Sequence, residues 1–173
     1  DEDGLTEEEI GRGNGGNGIA SAPVIAVVTP TGNIESSMES FGQEITIKEI
    51  IRGEDMVSVG ETGYVYQPFA FAYREGEVQF REAENIMQEG YEYLIFVEKS
   101  PLSPYMGEPV FNVVSDLFGY IRTDGHETKT LGRDYRNYDF RDLKEYEFFS
   151  VSEKITNTLN GLRKEILNEY LNN

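Results

Sequence analysis

The only histidine of the chain, His126, would have to serve any Ser-His-Asp catalysis and any imidazole zinc site. It follows Asp124 and Gly125 in a predicted turn, where a solvated surface residue is the expected role. No G-x-S-x-G motif supplies a nucleophilic serine, and the chain has no cysteine to complete a zinc site. The sequence therefore excludes disulfides and thiol nucleophiles and gives no basis for serine-hydrolase or zinc chemistry.

Carboxylates are the most abundant reactive groups, with 32 Asp and Glu residues. Two carboxylates suffice for glycoside hydrolysis when their surroundings separate their pKa values, so an acid-catalysed hydrolase stays open as an alternative. Asp134, Asp139 and Asp142 could hold calcium together with backbone carbonyls, because calcium needs only oxygen ligands. Their spacing does not match the EF-hand loop. We therefore keep calcium as an alternative and predict no obligatory cofactor.

Tyrosines are the candidate ligand-binding side chains, because an exposed aromatic ring can stack on a sugar. The candidates are Tyr64, Tyr66, Tyr135 and Tyr138. Packing within a sheet or core would explain the same four residues equally well. Their role therefore depends on the elements that position them.

The strongest strand pattern runs from Tyr91 to Val97 and follows a turn at Glu89-Gly90. Its odd-numbered residues share one face, and Leu94 and Phe96 lie on the other. A strand that is apolar on both faces at its centre is typical of a sheet covered on both sides. We therefore expect this strand to be central.

Shorter alternating patterns predict further strands, most of them bounded by Gly, Pro, Asn or Asp. They lie at 23–29, 44–51, 56–59, 64–67, 78–80, 110–114 and 118–122. The last two could form a hairpin around Ser115-Asp116. The polar stretch 34–40 is a predicted loop. Residues 127–140 are also polar, with Tyr135, Tyr138 and Phe140 as possible packing anchors.

The chain ends in a predicted helix over about 150–171. Ser150 and Glu153 have the spacing of a capping box. One apolar face then repeats at steps of three and four, at Ile155, Leu159, Leu162, Ile166 and Tyr170. We expect this helix to pack on the strands, with a partner-binding helix as the alternative.

Charge and glycine dominate residues 1–22, which are predicted to form a disordered acidic, Gly/Asn-rich tether before a single domain over 23–173. The net charge is −17, and residues 1–98 carry 20 acidic and 5 basic side chains, a balance of −15. This charge opposes binding to nucleic acid or anionic lipid. No apolar run reaches the roughly 18 residues of a membrane helix, so we expect no membrane insertion.

Four sequence features carry a resemblance to a known group. They are Glu44 to Gly53, Met56 to Gln67, Met87 to Phe96 and the late strand pair around Gly119. In this layout the chain resembles small secreted or lipid-anchored bacterial β-barrels and is similar to the netrin-type domain of the tissue inhibitors of metalloproteinases. The resemblance covers roughly residues 23–123.

The resemblance implies an OB-like, partly closed barrel. The fold class expected is therefore mainly β, a barrel of about five to seven strands with one C-terminal α-helix. Netrin-type domains carry disulfides, and their inhibitory members bind proteases through an N-terminal cysteine. This chain has neither, so no functional residue is carried over.

These observations favour a non-enzymatic binding module at the bacterial cell surface, with a protein or glycan partner. A tail of this composition suits a spacer between a membrane anchor and a folded domain. Any such lipid anchor would lie upstream of the sequence. A carboxylate-dependent hydrolase and an intracellular interaction domain are the alternatives.

Overall fold

A computed structural model describes residues 18–36, 40–68, 71–74, 77–80, 83–115, 118–125, 128–131, 146–150 and 152–172. The strands are β1 (Val24–Ser36), β2 (Ser40–Arg52), β3 (Thr62–Pro68), β4 (Phe71–Arg74), β5 (Glu77–Phe80), β6 (Ala83–Glu84), β7 (Tyr93–Lys99), β8 (Val110–Val113), β9 (Tyr120–Arg122), β10 (Thr128–Thr130) and β11 (Phe148–Ser150). The helices within these ranges are a single turn, α1 (Ser103–Met106), and the long C-terminal α2 (Glu153–Leu171). Neither helix in this part of the chain is long and apolar enough to span a membrane.

The main sheet is a closed, five-stranded mixed β-barrel, which confirms the predicted fold class and is consistent with an OB-like barrel. Its order is β1-β2-β3-β8-β7-β9, and β1 also pairs with β7 to close the ring. The pairing of β3 with β8 is parallel, and the other barrel pairings are antiparallel. Closure leaves the central strands without free edges.

The predicted hairpin around Ser115-Asp116 is wrong. Both β8 and β9 pair antiparallel with the same strand, β7. The partner of β8 is the segment Val97–Lys99, and the partner of β9 is Tyr93–Ile95. The two segments therefore follow one another along one edge of β7 and together fill one position in the barrel.

The expectation of a central strand covered on both faces is confirmed for β7. Tyr93, Ile95 and Val97 belong to the hydrophobic cluster inside the barrel. Leu94 and Phe96 belong to a second cluster between the barrel and α2. The strand begins at Tyr93, and Tyr91 lies outside it with 39% of its surface exposed.

The long helix packs on the barrel, as predicted. Its buried apolar residues are Leu159, Ile166 and Leu167. The ring of Tyr170 packs edge-to-face on the ring of Phe96, with the two ring centroids 5.3 Å apart. The predicted capping box is wrong, because Ser150 ends β11 and the helix begins at Glu153 after Ser152. The Ser150 hydroxyl accepts the Ser152 N–H instead, at 3.2 Å.

Three further predictions differ from the structure. Residues 34–36 of the predicted loop 34–40 complete β1, and Ser40 begins β2. Residues 18–22 were assigned to the disordered tail, but Ile19–Ser21 form a 3-10 turn and Ala22 is buried. The Arg52 guanidinium donates to the carbonyls of Ala20 and Ala22, at 2.7 and 3.1 Å, which ties this turn to the end of β2. Residues 56–59, predicted as a strand, lie in the loop between β2 and β3, which has turns at 54–56 and 59–60.

A polar network holds the segment before β7 against one end of the barrel. The buried Gln43 side chain accepts the Met87 N–H at 2.6 Å, and the side chain of Met87 joins the interior cluster. The Tyr120 hydroxyl donates to the Asn85 carbonyl and accepts from Gln43 Nε2. Buried polar groups are thereby hydrogen-bonded rather than left bare in the core.

Candidate functional site

Tyr64 and Tyr66 lie together on the outer face of β3, two residues apart on a strand whose alternate residues share a face. Their ring centroids are 6.5 Å apart with a tilt of 44°. The cross-strand partners are Glu44 for Tyr64 and Gly42 for Tyr66, and Gly42 in turn pairs with Glu35. We call these five residues, Glu35, Gly42, Glu44, Tyr64 and Tyr66, the tyrosine face.

The ring of Tyr66 lies directly against Gly42. A Cβ atom at Gly42 would stand 2.7 Å from the Tyr66 ring, closer than any side chain allows. The Tyr66 hydroxyl donates to Glu35 Oε2 at 2.7 Å. Burial raises the pKa of Tyr66 to about 12, and the hydrogen bond to Glu35 contributes to that rise. The ring is therefore held at both its face and its tip while its side chain stays partly accessible.

The carboxylate of Glu44 is held by two side chains of β1. The Thr31 hydroxyl and the Asn33 amide both donate to Glu44 Oε1, at 2.6 and 2.8 Å. No hydrogen bond to Glu44 Oε2 or Glu35 Oε1 comes from the residues that the structure describes. Each carboxylate is thus oriented through one of its oxygens.

The second tyrosine is more enclosed. Tyr64 is only 8% exposed, and burial, followed by the negative charges of Glu44, Glu35 and Glu108, raises its pKa. Its hydroxyl stays neutral at physiological pH. The face therefore combines neutral phenols with carboxylates, which suits hydrogen bonding to hydroxyl or amine groups and opposes phosphate.

A separate carboxylate, Glu147, is buried beneath α2. It accepts the Arg122 N–H and an N–H of the Arg163 guanidinium. Burial raises its pKa to about 7, outweighing the opposite effects of Arg163 and of the Arg122 N–H. A raised pKa is a property of general acids. Here the group is 4% exposed and is enclosed by helix and barrel, so it fastens the helix rather than facing a cleft.

The other predicted site residues lie outside the described residues: Tyr135, Tyr138, Asp134, Asp139 and Asp142. The same holds for His126, which was predicted to be a surface residue. The calcium alternative therefore stays a prediction. Within the described ranges, no group of three or more His, Asp or Glu side chains could hold a metal ion.

Glu35 and Glu44 were not singled out by the sequence, because carboxylates are abundant and the stretch 34–40 resembled a loop. The alternation of Thr31, Asn33 and Glu35 was the available sign that β1 continues, with its polar residues on one face. The contact of Gly42 with Tyr66 has no local signature, since it joins two strands.

No protein-family model matches the chain, and no curated protein shows significant sequence similarity to it.

Proposed function

We propose that the protein is a non-enzymatic binding module of the bacterial cell surface and that its tyrosine face binds a glycan. The observation that carries this proposal is the fixed ring of Tyr66, held on Gly42 and tied to Glu35, beside the oriented carboxylate of Glu44. A sugar needs an aromatic surface for its C–H face and directed acceptors for its hydroxyls.

The position of the tyrosine face supports the proposal. OB-type barrels bind oligosaccharides and oligonucleotides across the surface of their second and third strands. The tyrosine face lies on β2 and β3 of this barrel, together with the adjoining part of β1. The net charge of −17 and the carboxylates on the face favour a neutral or amine-bearing glycan over a nucleic acid.

A location outside the cytoplasmic membrane is the second part of the proposal. The resemblance to small secreted or lipid-anchored barrels supports it, as does the acidic, Gly/Asn-rich composition of the N-terminal residues, which suits a spacer. Cell fractionation tests it: recovery from the cytoplasm would favour an intracellular interaction domain instead.

The binding test is calorimetry and thermal unfolding with a panel of cell-wall glycans that includes chitooligosaccharides and peptidoglycan fragments. A glycan that binds only the folded protein raises the unfolding midpoint. Tyr66→Ala should weaken binding at least about tenfold, or about 1.4 kcal/mol. Tyr105→Ala is the matched control, because Tyr105 is 85% exposed and lies outside the tyrosine face.

Two results would count against the proposal. Binding that survives Tyr66→Ala would place the glycan elsewhere, and the absence of binding across the panel would leave the face without a ligand. Release of new reducing ends during the same incubations would instead support the alternative of a carboxylate-dependent hydrolase.

A further inference from the structure

Two loops carry most of the large exposed apolar side chains among the described residues. Five of the seven lie there: Met56 (41% exposed), Val59 (64%), Leu102 (61%), Tyr105 (85%) and Met106 (51%). We call these five residues the apolar rim. Apolar side chains gathered on a surface mark an interaction site, whereas scattered single ones do not.

The two loops enter the barrel side by side. Residues 53–61 lead into β3 and residues 100–109 lead into β8, and these two strands are parallel neighbours. The Tyr64 N–H donates to the Pro109 carbonyl at 2.9 Å where the loops meet the sheet. The Lys99 ammonium also reaches the Met56 carbonyl, at 3.5 Å. The two loops that carry the apolar rim therefore lie next to each other at one end of the barrel.

Buried hydroxyls hold the second loop in shape. Ser103 Oγ accepts the Val110 N–H at 2.9 Å and donates to the Glu108 carbonyl at 3.3 Å. Ser100 Oγ accepts the Leu102 N–H at 3.2 Å. With Pro101 and Pro104 restricting the backbone, the exposed side chains are presented by a preorganised loop, which lowers the entropy lost on binding.

The charges around the apolar rim identify the kind of partner. The exposed acidic residues of the two loops and the adjoining strand end are Glu54, Asp55, Glu98 and Glu108. The exposed bases beside them are Lys99 and Arg52, and the Arg52 guanidinium is engaged with the Ala20 and Ala22 carbonyls. This balance repels anionic lipid and attracts cations. A ligand that matches both properties has apolar side chains flanked by Lys or Arg.

We propose that the apolar rim binds a cationic amphipathic segment of a partner protein. The apolar side chains of the segment would cover Leu102, Tyr105 and Met106, and its bases would face the acidic border. The rim is distinct from the tyrosine face and does not depend on glycan binding.

The test uses a synthetic amphipathic helix of Leu and Lys, about 14 residues or four turns long, with binding followed by fluorescence anisotropy at about 0.15 M salt. The combined variant L102S/Y105S/M106S should weaken binding at least about tenfold. It leaves the net charge unchanged, so unspecific attraction of a polycation to an acidic protein would not respond to it. Ile34→Ser is the matched control, because Ile34 is 50% exposed on a distant part of β1.

A second variant, M56S/V59S on the neighbouring loop, should weaken binding in the same direction. Equal unfolding midpoints of the variants and the parent protein would establish that the loss is local. The proposal is overturned if the combined variant binds as tightly as the parent, or if a Ser/Lys peptide of equal charge binds equally well. It is also overturned if the parent protein binds neutral lipid vesicles or associates with itself and the combined variant abolishes that binding rather than binding to the peptide.

Discussion

Glu147 and Arg163 form an ion pair that is almost closed to water, with side chains 1% and 3% exposed. Removing both charges from water is costly, and their attraction offsets that cost only when the remaining hydrogen-bonding positions are filled. The Arg122 N–H fills one such position on Glu147. We therefore expect the pair to contribute more to the position of α2 on the barrel than to stability.

The first prediction concerns the pH dependence of this pair. The pKa of Glu147 is raised to about 7 in the folded state, above its ordinary value of 4.5 in an unfolded chain. The folded state thus binds more protons between these values, and its stability falls as pH rises from about 5 to about 7. Glu147→Gln should flatten this part of the curve by about 1–3 kcal/mol.

Unfolding midpoints at several pH values, compared between the parent and Glu147→Gln, provide the measurement. Other carboxylates of this acidic chain contribute to both curves, so the difference between the two curves is the quantity to examine. A parent protein that gains stability relative to the variant as pH rises would mean that Glu147 is ionised in the folded state throughout.

A second residue-scale prediction concerns the fully buried Tyr120. Its hydroxyl donates to the Asn85 carbonyl and accepts from Gln43, so Tyr120→Phe removes both bonds from the barrel interior. The expected loss in the free energy of unfolding is about 1–3 kcal/mol. Urea denaturation measures it, with Tyr91→Phe as an exposed control expected to change stability by less than about 0.5 kcal/mol. Equally small losses of stability in Tyr120→Phe and Tyr91→Phe would mean that the hydrogen-bond network contributes little to the free energy of unfolding.

At the scale of elements, two glycines show how closely neighbouring strands approach. A Cβ atom at Gly63 would stand 2.7 Å from the Pro109 carbonyl oxygen, which belongs to the backbone. A Cβ atom at Gly42 would meet the end of the Tyr66 side chain, also at 2.7 Å. A side chain can move aside, whereas a paired strand moves only by disturbing the barrel.

The third prediction follows from this difference. Gly63→Ala should lower the free energy of unfolding by about 1–3 kcal/mol, because the junction of β3 and β8 must open. Gly42→Ala should have a smaller effect on stability, partly offset by the reduced freedom of the unfolded chain. It should nevertheless displace Tyr66 from Glu35 and weaken glycan binding. Chemical denaturation of both variants tests the order, which a larger loss for Gly42→Ala would contradict.

The elements that depend on local pattern were the ones predictable from sequence. The alternation in β7 predicted both of its covered faces, and the spacing of Leu159 and Ile166 predicted the packed face of α2. The partnership of β8 with β9 along β7 was not predictable, because it depends on contacts far apart in sequence. The same reason hid the pairing of Arg163 with Glu147 and the contact of Gly42 with Tyr66.

At the scale of the whole molecule, the N-terminal residues are more acidic than the rest of the chain. Residues 1–17 contain six acidic side chains and one basic side chain, a balance of −5 out of the total of −17. They therefore add to the electrostatic repulsion within an acidic protein. Salt screens this repulsion, and the compact folded state makes it stronger. The residues that follow, 18–22, contribute contacts instead of charge.

The last prediction compares two truncations at this boundary. Removing 1–17 should change the free energy of unfolding by less than about 0.5 kcal/mol. At low salt it should favour the folded state slightly, because the net charge becomes less negative, from −17 to −12. Removing 1–22 also takes away the buried Ala22, the packing of Ile19 and two acceptors of Arg52. Its expected cost is about 1–3 kcal/mol.

Thermal unfolding of both truncations at low and high salt measures these effects, with Arg52→Lys in the full chain as a control for the guanidinium contacts alone. A tether should be dispensable for folding, whereas a structural segment should not. If the shorter truncation also loses several kcal/mol, residues 1–17 belong to the folded domain, and the spacer interpretation, together with its support for a surface location, would fail. If only the longer truncation is unstable, the folded domain begins near Gly18, where the chain first packs against β2 and the helix.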